Sequence, residues 1–324
     1  MTTDSAWLLL CDSSPALRCR VLSELLGVPD DDPELADLLP RRAEDPEVLA
    51  LLAAEPEGLQ ELSLLLCRLG GLGLDRAHPR VEELVERVFA RQQDDGSFPL
   101  TEFRTDERYA MIPLQVSVPL RGLGAVGAAT DPRAERAYDW LLARRTQDGS
   151  WPTGLVAGQP GSVPGYRKLP GSPGCRANTE AALAALVLHP GRARSEPARR
   201  AADLLLRRET RDEWALGTEI ARLRGRERAA GFISLHSRFD LAFVLDLVSR
   251  TGISAADARV AGLVGFLEGL RGPAGLWEHP AHPELSRWLT LDLLTSLGRL
   301  DGGDWAGEGP RLRFRPDDVP VKHH

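Results

Sequence analysis

The sequence predicts an all-α, single-domain fold in which helical hairpins close into a ring with two concentric layers, an (α/α)5–6 toroid. Two observations lead to this prediction. A turn signal that combines glutamine, glycine, serine and an aromatic residue occurs at Gln93 and again at Gln147, 54 residues later, which indicates stacked structural repeats. The predicted helices also alternate between two types, one apolar almost all round and one amphipathic, as expected for an inner and an outer layer.

The turn signal has a physical reason at each position. The first copy, residues 93–98, reads QDDGSF, and the second copy, residues 147–151, reads QDGSW. A glycine just after a helix end can adopt a positive φ, which other residues adopt only with strain. The aromatic side chain is then expected to fold back onto the two adjoining helices. We interpret the signal as structural, and Gly275-Leu276-Trp277 as a degenerate third copy.

The helix starts carry capping signals. Asp131-Pro132 supplies an N-cap and a proline in the first turn. We interpret the acidic residues before Pro33 and Pro46 as caps too, rather than as a metal site, because helix N-termini attract negative charge. Inner helices are predicted to begin near residues 59, 114, 178, 239 and 288, and outer helices near residues 79, 134, 197 and 255.

The chain divides into three predicted segments. Residues 1–56 form an N-terminal helical segment that packs on the toroid, residues 57–301 form the toroid, and residues 302–324 form a loosely ordered tail. The last predicted helix is apolar, and this favours a closed ring over an open solenoid, which needs polar end caps.

Composition excludes several classes of function. A net charge of −7 leaves no basic footprint for nucleic acid, and the chain has no apolar run of about 18 residues that predicts a membrane span. Four cysteines without a CxxC pair predict reduced thiols in a cytoplasmic protein. We expect no cofactor. We interpret the arginine run at positions 222, 224, 226 and 228 as a solvated face.

Polar side chains cluster where the inner helices are predicted to begin, and in a ring of hairpins these starts meet at one mouth. Arginine forks beside helix N-termini suit a diphosphate or a carboxylate. The alternative is that these arginines bind loop carbonyls or pair with Asp240 and Glu284. The predicted substrate-binding residues are Tyr109, Tyr166, Lys168, Cys175, Arg176, Asn178, His236, Arg238, Arg287 and Trp288.

Three carboxylates are candidate catalytic groups. Asp240 and Asp246 interrupt a helix expected to be buried, and Asp292 interrupts the last helix in the same way. Asp240 either caps its helix or serves as a general acid that faces an apolar cavity, with its pKa raised by desolvation. Asp292 either does the same or pairs with an arginine. We predict no metal site, because the proline between His279 and His282 disfavours helical geometry and no third ligand is evident.

Small residues on the predicted inner helices would leave space at the centre of the ring. A central apolar cavity with a few polar groups at one end is the usual form of a lipid or polyprene site. The small residues are Ser117, Gly122, Gly124, Ala181, Ala182, Ala184, Ala185 and Ala242.

Over residues 57–300 the sequence resembles the α/α-toroid superfamily of squalene and terpene cyclases and protein prenyltransferase β-subunits. The matching signal is the QW motif of the cyclases, at residues 93–98 and 147–151. Within that superfamily the chain looks most like small bacterial single-toroid proteins, through residues 167–172, 174–176 and 286–288.

The sequence departs from both enzyme patterns. Class II terpene cyclases carry an Asp-x-Asp-Asp acid, and no such tetrad occurs in the predicted barrel. Prenyltransferase β-subunits bind zinc through an Asp-x-Cys pair and a later histidine, whereas Pro173 stands before Gly174-Cys175 here. A zinc transferase site and a partner α-subunit are therefore not implied.

The resemblance implies an enzyme that acts on an isoprenoid or similar apolar substrate with an anionic end. The reaction would be an acid-initiated cyclisation or isomerisation without the usual tetrad, with Asp240 as the expected acid and Arg176, Arg238 and Arg287 holding the anionic end. Two alternatives stay open. One is a non-catalytic toroid that binds a lipid or a peptide, which the absence of both motifs favours. The other is a tailoring enzyme of a natural-product pathway.

Overall fold

The computed structural model describes residues 2–98, 112–152, 155–156, 159–160, 169, 171–209, 215–227, 239–307 and 312–313. The predicted all-α class is confirmed, because these residues form fourteen α-helices and strands of only two residues. The helices are α1 (Thr2–Leu10), α2 (Pro15–Arg20), α3 (Pro33–Ala43), α4 (Pro46–Leu52), α5 (Leu59–Gly71), α6 (Pro79–Phe89), α7 (Ile112–Ala125), α8 (Pro132–Leu142), α9 (Arg176–Leu186), α10 (Glu196–Leu206), α11 (Thr218–Leu223), α12 (Leu241–Arg250), α13 (Ala258–Gly269) and α14 (Ser286–Leu300).

The minor elements lie beside the helices. A π-helical turn, Val21–Leu25, continues α2 directly. Strand β1 (Leu155–Val156) pairs antiparallel with β2 (Gln159–Pro160), and β3 (Arg208–Glu209) pairs parallel with β4 (Leu312–Arg313). In the part of the chain that the structure describes, no helix is long and apolar enough to cross a bilayer.

The inner layer is a closed ring. In ring order it contains α2 with its π-helical turn, then α5, α7, α9, α12 and α14, and each packs on the next from α5 to α14 and back to the turn. The ring closes at Arg20, whose guanidinium donates to the carbonyl oxygen of Gly71 at 3.4 Å and pairs with Asp292 of α14 at 3.3 Å. The α/α toroid is therefore the architecture of the chain.

The outer layer follows the same order. Helices α3, α6, α8, α10 and α13 each pack on the inner helix that precedes them, and α1 packs on α14. The first and last helices therefore form one pair. Ser5 Oγ donates to the carbonyl oxygen of Gly275 at 3.0 Å, and Arg287 pairs with Asp12 at 2.8 Å. These contacts build the N-terminal helices into the ring.

Burial confirms the two predicted helix types. All eleven residues of the inner helix α9 are buried, whereas α6 buries only the apolar stripe that begins at Val81. The small residues of the inner layer mostly serve close packing instead of leaving space. A Cβ on Gly122 would lie 2.6 Å from the carbonyl oxygen of Ser63, so α5 and α7 touch there. Of the predicted small residues, Ala184 and Ala242 line the cavity described below.

The aromatic residues of the turn signal join an outer helix to the next inner helix. The indole N–H of Trp151 donates to the carbonyl oxygen of Leu141 in α8 at 2.9 Å, and its backbone N–H donates to Thr179 Oγ1 in α9 at 3.1 Å. Trp277 makes the same two bonds, to the carbonyl oxygen of Leu267 and to Thr290 Oγ1. The structural interpretation of the signal is confirmed.

The two copies are in a different register from the one the glutamines suggest. In the first copy Gln93 donates its backbone N–H to the carbonyl oxygen of Ser97 at 2.8 Å. In the second copy Thr146, not Gln147, makes the matching bond to Ser150, also at 2.8 Å. The glycines, with φ of 90° and 91° at positions 96 and 149, mark the structural period of 53 residues.

The predicted caps are also confirmed. Asp131 accepts a hydrogen bond from the backbone N–H of Arg133 at the start of α8. Asp32 and Asp45 do the same for the first turns of α3 and α4. The acidic residues before Pro33 and Pro46 therefore satisfy backbone N–H groups that a helix start leaves without partners.

Candidate functional site

A cavity of about 440 Å³ lies inside the ring. Its walls are the C-terminal halves of α5, α7 and α9, the short helix α11, and the facing sides of α12 and α14. Arg20 and Glu24, from the end of α2 and its π-helical turn, complete the wall. The volume lies within the range of small-molecule sites.

Helix α11 crosses the interior of the ring, although it follows the outer helix α10 in the chain. The backbone carbonyl of its last residue, Leu223, accepts a hydrogen bond from Arg68 Nε of α5 at 2.9 Å. Its Glu219 pairs with Arg121 of α7 at 2.6 Å. Residues 217–224 therefore form part of the cavity wall.

The lining has an apolar side and a charged side. Among the described lining residues, α9 and the residues after it contribute only Ala184, Val187 and Leu188, whereas the N-terminal segment contributes only Arg20 and Glu24. These two walls face each other, because α9 stands opposite α2 in a ring of six. The ionisable lining residues are the arginines 20, 68, 121, 224, 250 and 299 and the carboxylates Glu24, Glu219, Asp240, Asp246 and Asp292.

Asp246 is held in its ionised form. Its carboxylate accepts a hydrogen bond from Arg250 Nε at 2.9 Å and pairs with Arg299 of α14 at 2.8 Å. Burial opposes the charge, but the two arginines outweigh burial and hold the pKa of Asp246 at about 2. Asp246 therefore contributes a fixed negative charge to the cavity.

Asp292 has a weaker partner and a different pKa. Its contact with Arg20 measures 3.3 Å, and Arg20 itself makes two closer bonds to Glu24, at 2.6 and 3.0 Å. Burial raises the pKa of Asp292, and Arg20 offsets only part of that effect because Asp246 and Glu24 lie nearby. The side chain keeps 29% exposure, which its position in the cavity wall explains.

Asp240 lines the cavity and caps α12 as well. Its Oδ1 accepts hydrogen bonds from the backbone N–H groups of Ala242 and Phe243, at 3.0 and 3.3 Å. Backbone N–H groups of Gly217 and Glu219 also donate to the carboxylate, at 3.2 and 2.7 Å. Burial raises the pKa of Asp240, whereas these four donors favour its ionised form. Asp240 therefore caps its helix, which is one of the two roles predicted for it.

The arginine run is buried at two of its four positions. The side chains of Arg222 and Arg224 are 4% and 5% exposed, and Arg222 pairs with Glu219. Arg226 is 55% exposed, and position 228 lies outside the described residues. The prediction of a solvated face is wrong for Arg222 and Arg224, because α11 carries them into the ring interior.

The described residues predicted at the mouth lie apart from the cavity lining. Arg176 is buried and pairs with Glu180 of its own helix at 2.5 Å, whereas Arg287 is 42% exposed and pairs with Asp12. Asn178 donates to the carbonyl oxygen of Pro152 at 2.6 Å, and Cys175 is a buried residue at the start of α9. Their predicted roles stay predictions. Tyr109, Tyr166, Lys168, His236 and Arg238 lie outside the described residues.

Trp288 contacts the cavity wall through Arg224. The guanidinium carbon of Arg224 lies 3.3 Å from the centroid of the Trp288 ring, so the indole supports an arginine of the cavity wall.

Both ring nitrogens of His279 form hydrogen bonds within the protein. Its Nδ1 accepts hydrogen bonds from the backbone N–H groups of Ala281 and His282, at 3.2 and 3.0 Å. The proton therefore sits on Nε2, which donates to the carbonyl oxygen of Gly217 at 2.9 Å. Within the described residues, no three His, Cys, Asp or Glu side chains are placed to share a metal ion.

Sequence reasoning missed several residues of the cavity wall. Arg121 is the single charge of the apolar helix α7, and that isolation is a signal that could have identified it, whereas Arg68 shares α5 with Glu61. Arg20 and Glu24 carry no comparable signal, because they approach Asp292 only when the ring closes.

No protein-family model matches the chain, and a search of curated proteins found no match. Among solved structures, a protein from Actinoplanes is 18% identical, with coverage of 92% of this chain and 88% of that chain and a TM-score of 0.41. The type II terpene cyclase MstE from Scytonema, in complex with its substrate geranylgeranyl dihydroxybenzoate, is 14% identical. The coverage is 81% of this chain and 97% of that chain, with a TM-score of 0.31. At these values neither similarity says anything about the activity of this chain.

Proposed function

We propose that this protein is an enzyme that binds an isoprenoid or similarly apolar substrate with an anionic end in the central cavity. The reaction is an acid-initiated cyclisation or isomerisation. The observation that supports this proposal most directly is the lining, in which an apolar wall on α9 faces the charged residues Arg20 and Glu24. An amphiphilic molecule matches such a cavity because each of its ends finds the environment it needs.

Asp292 is the proton donor in this proposal. A general acid must hold a proton before it can donate one, and burial raises the pKa of Asp292, which favours its protonated form. Asp246, with a pKa of about 2, has no proton to donate. The carboxylate of Asp240 already accepts four backbone hydrogen bonds, so the proposal assigns it to the support of α11 and α12.

The reaction balances without an oxidant or a reductant. Asp292 transfers its proton to an alkene carbon, a C–H bond forms, and the neighbouring carbon becomes cationic. The fixed charge of Asp246 and the ring of Phe243, both in the cavity wall, stabilise that cation. A carbon next to the cation then loses a proton to the Asp292 carboxylate, which restores the acid.

The substitution Asp292→Asn tests the proposal, because it keeps the shape of the side chain and removes the transferable proton. Purified protein is incubated with a panel of polyprenyl substrates, and products are identified by mass spectrometry. Turnover should fall at least about a hundredfold, as is typical when a general acid is lost, while the melting temperature stays near that of the wild type. The wild-type rate should fall as pH rises through the pKa of Asp292.

Asp301→Asn, an exposed position just after α14, is the matched control and should keep full activity. An active Asp292→Asn variant would remove Asp292 from the mechanism. A ligand that binds the wild type and is recovered unchanged from every substrate tested would favour the non-catalytic binder.

A further inference from the structure

The cavity contains an arginine whose hydrogen-bonding capacity is largely unused. The side chain of Arg224 is 5% exposed, and its Nε–H has no hydrogen-bond partner among the described residues. Its other two contacts are long, 3.4 Å from Nη1 to Glu47 Oε1 and 3.5 Å from Nη2 to the carbonyl oxygen of Gly71. Hydrogen bonds of this type normally measure about 2.7 to 3.2 Å, so a buried cation here lacks a close acceptor.

The plane of this guanidinium is fixed in advance. Its central carbon lies 3.3 Å from the centroid of the Trp288 ring, which is a stacking distance. Stacking covers one face of the guanidinium and leaves its N–H groups at the edge. Arg224 belongs to the lining, so its guanidinium borders the space that a ligand would occupy.

A second arginine stands beside Arg224. Arg68 Nε donates to the carbonyl oxygen of Leu223, and a Cβ on Gly225 would lie 2.9 Å from Arg68 Nη2. The guanidinium of Arg68 therefore packs along residues 223–225. In the part of the chain that the structure describes, no carboxylate lies within ion-pair distance of Arg68.

The charge of the wall limits what the anion can be. Six arginines and five carboxylates line the cavity among the described residues, which leaves a formal excess of one positive charge with every group ionised and of two with Asp292 protonated. Arg222 and Glu47, which contact lining residues, add one charge of each sign. The negative charge of a diphosphate ester at neutral pH exceeds this excess. A carboxylate carries a single charge, and its two oxygens match an arginine fork.

We propose that Arg224 binds a carboxylate group of the ligand through two parallel hydrogen bonds, with Arg68 alongside. The claim that the ligand has an apolar body rests on the proposed function. The claim that it has a carboxylate does not, since that follows from the contacts of Arg224 and the charge of the wall.

Binding measurements with matched head groups test the inference. Titration calorimetry compares farnesoic acid, farnesol and farnesyl diphosphate at pH 7, and dodecanoic acid with dodecanol repeats the comparison without an isoprenoid. The wild type should bind each acid about tenfold to a hundredfold more tightly than its alcohol, as expected for charge-assisted hydrogen bonds. Farnesyl diphosphate should bind more weakly than farnesoic acid.

Variants assign the preference to Arg224. Arg224→Gln should abolish it, and Arg224→Lys, which keeps the charge and loses the fork, should lose most of it. Arg226→Gln, two residues away and 55% exposed, is the matched control and should keep the preference. Melting temperatures verify that each variant is folded, and Arg224→Lys serves as the test if Arg224→Gln does not fold.

The outcomes separate this inference from the proposed reaction. Equal binding of acid and alcohol, tighter binding of the diphosphate, or a preference that survives both Arg224 substitutions would overturn the inference. None of these results would remove Asp292 as the acid. Conversely, a carboxylate preference that depends on Arg224, found together with no turnover of any substrate, would support the inference and contradict the reaction.

Discussion

Replacement of Asp246 by asparagine should destabilise the protein by an amount that the structure allows us to calculate. Arg250 and Arg299 hold the pKa of Asp246 at about 2, against an ordinary value of 3.8. That difference corresponds to roughly 2 kcal/mol of preference for the ionised form in the folded state. Asp246→Asn removes this contribution and leaves two arginines in the cavity wall without their common partner.

The pH dependence of the protein's stability tests the same contribution of Asp246. Because the pKa of Asp246 is lowered in the folded state, its contribution is present above about pH 4 and is lost as pH falls towards 2. Urea denaturation at pH 7 should show the full loss of stability for Asp246→Asn. The variant and the wild type should become more similar in stability as the solution is acidified.

A matched control separates this effect from the general cost of losing a surface charge. Asp139 also pairs with an arginine, Arg192, at 3.0 Å, but its side chain is 73% exposed. Asp139→Asn should leave the denaturation midpoint close to that of the wild type. If Asp246→Asn unfolds at the same urea concentration as Asp139→Asn, the assignment of Asp246 as a fixed charge is wrong.

Two further substitutions test the ring itself. Trp151→Phe removes the indole bond to the carbonyl oxygen of Leu141 and should cost about 1 kcal/mol in urea denaturation, because a buried hydrogen bond is lost. An unchanged midpoint would mean that this bond does not stabilise the hairpin. Gly217→Ala should loosen α11, because Gly217 has a φ of +84° and a Cβ there would lie 2.6 Å from the His279 ring. Hydrogen exchange of the α11 amides should then become faster while α6 is unaffected, and equal exchange in α11 would contradict the strain.

The fold could be predicted because its signals are local. Asp131 followed by a proline specifies a helix start within three residues, and Trp151 joins two helices that are neighbours in the chain. The difference in burial between α6 and α9 is likewise predicted by the pattern of apolar residues within each helix. The register of the turn differed, because Thr146 makes the backbone bond that the pattern of glutamines suggested for Gln147.

The cavity could not be predicted in the same way, because its charges meet across the ring. Arg20 and Asp292 are 272 positions apart, and nothing in either neighbourhood identifies the other. The prediction that the arginines at α11 form a solvated face was wrong for a related reason. Helix α11 has only six residues and carries Arg222 into the interior of the ring, and its sequence does not indicate that placement. The candidate acids were identified because carboxylates are rare in apolar helices, but their partners were not.

The pairing of α1 with α14 has a consequence for how the protein is made. Helix α1 leaves the ribosome long before α14, so α1 must wait for all the residues between them before its partner exists. Until then its apolar face is exposed, and contacts of such long sequence separation form slowly. We therefore expect nascent chains that stop before α14 to depend on chaperones. The cavity should form only after α14 has emerged from the ribosome.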